Sequence, residues 1–157
     1  MSNKKAVVVP EKIHLISMNI FKANLETSDE FLDNPQKPEP AAFAFAYANN
    51  IAHNFDLGRS RYRLFFTLTA QGAEQNPLGV KVEYGIEFHF LVDNFKDFVK
   101  EGKNKEVQIE ISLAATLFGM AYSTARGIVF ERTRGTFFAG VILPVIDPYE
   151  ALKKDKN

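Results

Sequence analysis

The chain has 157 residues, 46% hydrophobic and 24% charged, and its 19 basic and 19 acidic residues leave a formal net charge of zero. That is one domain's worth of ordinary globular sequence, with no overall field to recruit nucleic acid or an anionic membrane. Cysteine is absent, which excludes disulfides, thiol catalysis and thiolate metal sites.

Near the N-terminus only residues 6–9 form an apolar run, short of the roughly 7–15 residues of a secretory core. The apolar runs at 113–122 and 137–146 are shorter than the roughly 18 residues of a membrane span. The expectation is a cytoplasmic protein without membrane insertion. Its single domain would cover residues 1–157, with flexible ends at 1–12 and 153–157.

Residues 13–25 alternate apolar and polar side chains and predict a first strand. Residues 27–40, with Pro35, Pro38 and Pro40, read as a long extended loop crossing the fold. Residues 42–57 predict a second strand. Phe43, Phe45, Tyr47, Ile51, Phe55 and Leu57 share one face, and Ala42, Ala44, Ala46, Ala48 and Ala52 the other. The sequence Leu57-Gly58-Arg59-Ser60 reads as a two-residue hairpin, with Gly58 where a type II′ turn needs positive φ. That turn would pair Phe55 with Tyr62, Ile51 with Phe66 and Asn49 with Leu68. A third strand at 62–71 and a fourth at 78–92 continue the meander. The fourth aligns Val80, Val82, Tyr84, Ile86, Phe88 and Phe90 on one face. This register would place Arg61 near Glu87 and Asp56 opposite Arg61, a charged row on the polar face.

Residues 93–106 read as a charged linker with room for a helical turn, and 107–132 as the one long helix. Its apolar arc of about 160° is wider than a single sheet face covers, which implies a second surface shared with another subunit. Thr116, Gly119, Ser123 and Gly127 form a small-residue strip on that helix. Helix-interior glycine costs about 1 kcal/mol relative to alanine, so the strip is the candidate oligomer interface.

Few residues suggest chemistry. His14, His53 and His89 fall on different strands, with His53 alone on the apolar face, and none has metal-ligand spacing. Glu83 and Glu87 share a strand face but read as partners of cations such as Arg61 and Lys81 rather than as an acid–base pair. Arg59, Arg61 and Arg63 beside Tyr62 imitate a nucleic-acid surface, yet they neighbour Asp56 and Glu87 in a neutral chain. No nucleotide-binding or hydrolase motif is present. The reading is a non-enzyme with no cofactor, no metal and no nucleic-acid partner.

After the helix come Arg132-Thr133-Arg134-Gly135-Thr136-Phe137-Phe138 and then an apolar stretch broken by Gly140 and Pro144. Arg134, Gly135, Thr136 and Phe137, with Pro144-Val145 at the following distance, resemble the SecB-type protein-export chaperones. Ala125-Arg126 in the helix and Tyr149-Glu150-Ala151-Leu152 at its close resemble that family with shifts of one and two residues. The order of strand, crossover, three meandering strands, linker and long helix is also similar.

The resemblance implies an α+β fold: a four-stranded antiparallel meander sheet with a long crossover loop and one long C-terminal helix packed on it. It implies a homo-oligomer, a dimer of dimers, whose hydrophobic grooves hold unfolded polypeptides without ATP. By position, the groove walls would be Phe31 and Leu32 in the crossover with Phe137, Phe138, Val141, Leu143 and Tyr149 after the helix; Phe43 and Phe45 would line the floor. The SecA motor enters as a partner through the same resemblance. Members that serve SecA are typically acidic, whereas this chain is neutral, carries Phe138 where a proline is expected, and leaves little room for a second helix. A chaperone dedicated to one client, such as an antitoxin, is therefore an alternative. So are a non-chaperone oligomeric adaptor and an apolar-ligand carrier.

Overall fold

The computed structural model describes residues 5–33 and 43–154. Four long strands, β1 (Ile13–Thr27), β2 (Phe43–Asn54), β3 (Arg59–Gln71) and β4 (Pro77–Val92), form an antiparallel sheet in the order β1-β4-β3-β2. The chain leaves β1 at one edge and re-enters as β2 at the other, so the link between them crosses the sheet. Its described part is a short helix, α1 (Asp29–Asp33), where an extended loop was expected. Pro35, Pro38, Pro40 and Ala42 lie outside the described residues.

Strict alternation makes β3 and β4 the centre of the sheet. Tyr62, Leu64, Phe66, Leu68 and Ala70 on β3, with Val80, Val82, Tyr84, Ile86, Phe88, Phe90 and Val92 on β4, are all buried on one face. That face is covered by α2 (Ile111–Arg132), whose Leu113, Leu117, Phe118, Ala121, Tyr122, Ala125 and Val129 complete the core. Tyr62 buries its ring and donates its hydroxyl to Ala114 O at 3.2 Å, so that buried hydroxyl is satisfied.

Three local expectations are corrected. The β2–β3 connection has four residues, 55–58, and the last pair is Asn54 with Arg59. Ile51 therefore faces Tyr62, Tyr47 faces Phe66 and Phe45 faces Leu68, four residues from the expected register. Asn54 Oδ1 accepts from Leu57 N at 3.0 Å, starting the turn earlier than the glycine suggested. Gly58 does take positive φ (62°), and its carbonyl accepts from Val92 N at 2.9 Å. An even-numbered slip keeps every side chain on its face, which is why the apolar pattern alone could not detect it.

The charged row changes with the register. Arg61 faces His89, and Arg63 faces Glu87 and pairs with it. Asp56 sits in the turn. Glu83 meets Lys81 and Lys22 at 3.7 and 3.4 Å.

The helix begins later than expected. Val107–Ile109 is a strand, β6, paired with β5 (Val99–Glu101). Glu110, with ψ 137°, breaks the chain direction before α2, and Lys100 Nζ reaches Glu110 Oε1 at 2.6 Å. The linker's helical turn is a 3-10 turn, Phe95–Phe98, with both phenylalanines buried. A last helix, α3 (Pro148–Lys154), follows.

On β1 the alternation is interrupted twice, between Leu15 and Ser17 and between Ile20 and Lys22. Each bulge adds one residue, Ile16 and then Phe21, so that Leu15, Met18, Ile20 and Leu25 all pair with core-facing β4 residues. Yet Leu15, Met18 and Leu25 remain exposed, because α2 covers the middle of the sheet and not this edge. Phe21 bends over the other face onto Gly85, where a Cβ would lie 2.6 Å from its ring, and meets Phe65 edge-on at 5.4 Å.

By length and composition α2 could cross a membrane, although 44% of its most apolar window is buried in the fold. On its outer side Ile111, Met120 and Phe130 are exposed. The small-residue strip divides: a Cβ on Gly119 would sit 3.4 Å from Pro148 of α3, whereas one on Gly127 would meet nothing within 4 Å. Close packing by the chain's own α3 thus explains Gly119, and only the Ser123–Gly127 half of the strip faces outward.

Candidate functional site

The apolar surface of interest starts where the crossover leaves β1. Ser28 opens α1: its hydroxyl accepts from Phe31 N at 3.3 Å and its carbonyl from Leu32 N at 3.1 Å. Ser28 N in turn donates to Gly79 O at 2.7 Å. Gly79 has φ 78°, and a Cβ there would lie 2.1 Å from Ser28 Oγ. The glycine is a seat for α1. From it Phe31 turns inward (4% exposed) while Leu32 turns out (60% exposed).

Phe31 meets Phe137 edge-on at 4.7 Å. The turn after α2 presents that partner. Thr133, fully buried, donates its hydroxyl to Val129 O at 2.9 Å, and Thr136 Oγ1 donates to Thr133 O at 2.7 Å while accepting from Phe138 N at 3.1 Å. These bonds drive Phe138 into the core beside Phe43, ring centroids 5.0 Å apart. Phe45, half-buried, stacks on Tyr47 and Phe66 at 6.0 and 6.4 Å.

From Phe138 the chain runs back along α2. Arg126 Nε donates to Leu143 O at 2.9 Å and Tyr122 OH to Pro144 O at 2.7 Å. Burial pushes the Tyr122 phenol up to about 12, so it stays protonated and donating at neutral pH. Asp147 Oδ1 caps α3 through Tyr149 N at 2.8 Å, Pro148 abuts Gly119, and Leu152 lines one cleft with Ile111 and Ala114. The segment is antiparallel to the helix over nearly its whole length, about 33 Å at 1.5 Å per residue. Val141 and Leu143 point into the core, while Ile142 (67%) and Val145 (80%) stand almost free in solvent. Phe137 and Tyr149, both about two-fifths exposed, flank them.

The track ends at an apolar cleft of about 290 Å³, walled by Ile51, Phe55, Val107, Ile109, Ile111, Ala114 and Leu152. Its polar members are Gln108 and His53. His53 Nδ1 lies 2.8 Å from Ser60 Oγ, and burial lowers its pKa, keeping the imidazole neutral. No group of three His, Asp or Glu side chains that could hold a metal occurs among the described residues.

No protein-family model and no curated protein sequence matches the chain. Among known structures, a SecB-like chaperone of Mycobacterium tuberculosis in complex with a ChAD peptide from an antitoxin superposes with a TM-score of 0.58 at 10% identity, covering 87% of this chain and 91% of that one. The fold is SecB-like. A protein of unknown function from Streptococcus agalactiae gives a TM-score of 0.35 at 11% identity, with 85% and 97% coverage, too low to bear on the fold.

Within this SecB-like fold the expected wall residues separate. Phe31, Phe43, Phe137 and Phe138 come together, with Phe45 beside them on β2. Phe138, Val141 and Leu143 are core side chains in this conformation, Leu32 projects away, and Tyr149 sits on α3. Ile142, Val145 and the whole cleft were not anticipated. The cleft draws on three separated stretches of chain, 51–55, 107–114 and Leu152, the second including β6, which the sequence pattern merges with the helix.

The seat of α1 yields a direct prediction. Alanine at Gly79 would adopt left-handed backbone, at about 1–2 kcal/mol, and collide with Ser28. Gly79→Ala is expected to lower the Tm by several degrees and to speed proteolysis within α1. An unchanged melting curve with unchanged cleavage would show that α1 is not held there.

Proposed function

We propose that this protein is an ATP-independent holdase that binds non-native polypeptide along the exposed apolar track beside α2. The observation that carries the reading is the track itself: Phe137, Ile142, Val145 and Tyr149 lie in sequence on a segment bonded to the helix, ending in an open apolar cleft. Its length of about 33 Å matches ten residues of extended chain at about 3.3 Å each. Apolar burial at about 25 cal/mol per Å² supplies affinity without sequence specificity. That the SecB-like neighbour holds an antitoxin peptide supports polypeptide clients. With a neutral chain, it favours a dedicated client over SecA-linked export. The cytoplasm is the proposed setting.

The working form is proposed to be a homo-oligomer. A second copy would cover the bare β1 residues Leu15, Met18 and Leu25 and the outward half of the small-residue strip, Ser123–Gly127.

The test is aggregation of a denatured model client diluted into stoichiometric protein without nucleotide. Suppression is expected, and the doubly exposed pair Ile142→Asp/Val145→Asp should lose most of it while retaining the native circular dichroism. If the wild type leaves aggregation unchanged, the holdase reading fails. If the double variant suppresses as well as wild type, the track is not the binding surface.

A further inference from the structure

The sheet face turned away from α2 carries a cluster that the apolar track does not use. Arg59, Arg61 and Arg63 alternate along β3 with the buried Ser60 and Tyr62, so all three guanidinium stems leave by the outer face. Their cross-strand neighbours decide what each meets. Arg63 faces Glu87 and bonds it. That same carboxylate also accepts from His89, at 2.5 Å, and its pKa is lowered by Arg63 first and His89 second. Among the described residues, the acid paired across from this row, Glu87, is therefore already shared between Arg63 and His89.

Arg61 lies between Ala52 and His89, and Arg59 between Asn54 and Leu91. None of these four is acidic. Arg61 Nη2 donates to Asn50 Oδ1 at 3.1 Å, but Arg61 Nε is buried with no acceptor. Neither Arg59 nor Arg61 has an ion pair among the described residues. Both line a cavity of about 260 Å³. A buried donor left unmade is costly, and more so when charged, so a guanidinium with one donor unmet and no acidic partner beside a recess favours an incoming anion.

We infer that Arg59 and Arg61 form a binding site for an acidic peptide segment, with carboxylates entering the recess beside His89. Two arginines at i and i+2 on a strand stand about 6.6–7 Å apart, the spacing of side chains i and i+2 in an extended peptide. Asp-x-Asp or Glu-x-Glu therefore matches both, each carboxylate accepting a forked pair of N–H bonds. Nucleic acid fits less well. A phosphate backbone gains affinity by releasing counterions at many contacts, and here two uncompensated cations stand in a neutral chain beside Glu87. The site is on the opposite sheet face from the proposed client track and stands independently of it.

The experiment uses the full chain and a fluorescein-labelled decapeptide alternating aspartate and serine, followed by polarisation at low salt. Saturable binding is expected. It should be absent for the same peptide with asparagine for aspartate, and weakened at least tenfold in Arg59→Gln/Arg61→Gln. Arg59→Lys/Arg61→Lys should keep part of the affinity, and the Tm of both variants should stay at the wild-type value. Equal binding of the aspartate and asparagine peptides, or undiminished binding by the glutamine variant, overturns the proposal. Tighter binding of a single-stranded decanucleotide than of the acidic peptide, lost in the same variant, also overturns it by reassigning the site to phosphate.

Discussion

Phe138→Ala is expected to destabilise the protein by about 3–5 kcal/mol, the range for removing a buried phenylalanine. Phe138 is fully buried although it follows an exposed turn, and it locks the post-helix segment to the sheet through Phe43. Against a typical domain stability of 5–15 kcal/mol, that loss is a large share of the whole. The Tm should fall by roughly 6–20 °C, at 2–4 °C per kcal/mol for a chain of this size. Phe138→Asp goes further, because an unpaired carboxylate must be buried or the segment must unfold; no folded product is expected. The neighbouring Phe137→Ala should cost far less, since that ring is partly exposed. A Phe138→Ala protein melting within 2 °C of wild type would show that the post-helix segment is not anchored there.

The second large effect concerns assembly. Gly127→Leu is expected to reduce the mass measured by light scattering by at least half, with the helical signal and the Tm of the smaller species maintained. Apart from its own helix backbone, nothing among the described residues lies within 4 Å of a Cβ at Gly127, and leucine raises helix propensity by most of 1 kcal/mol. The protomer thus has no reason to suffer, and only a second copy packed on the strip would feel the side chain. Gly119→Leu is a different experiment: it pushes on Pro148, so its first expected consequence is loss of α3. An unchanged mass for Gly127→Leu removes this strip from any interface.

Much of the architecture is legible in the sequence because the sheet's central strands are buried on one face only. Alternation in β3 and β4 is then forced, and their phenylalanines and valines announce it. The register of β2 against β3 is not legible, since a four-residue slip preserves the face of every side chain and only the Asn54 side chain distinguishes the longer turn. The bulges of β1 hide for the opposite reason: Ile16 and Phe21 are apolar, so an extra residue looks like one more member of the pattern. β6 hides because Val107 and Ile109 suit a helix face as well as a strand.

The candidate site was legible in outline and not in orientation. Phe137 and Phe138 are identical neighbours with opposite fates, decided by the Thr133 and Thr136 hydroxyls, and no periodicity governs an irregular segment. The same holds for Val141 and Leu143, turned in, against Ile142 and Val145, turned out. The cleft, built from distant pieces, required the fold itself.

The two extra residues in β1 also bear on self-association. A straight, sticky border strand invites stacking into endless ribbons, and border strands escape that fate when their outline is kinked. Ile16 and Phe21 put two kinks into the longest greasy border of this molecule. Cross-β growth along it is thereby hindered, whereas docking with one partner of matching curvature is not. Deleting both residues to straighten the border should promote fibre growth.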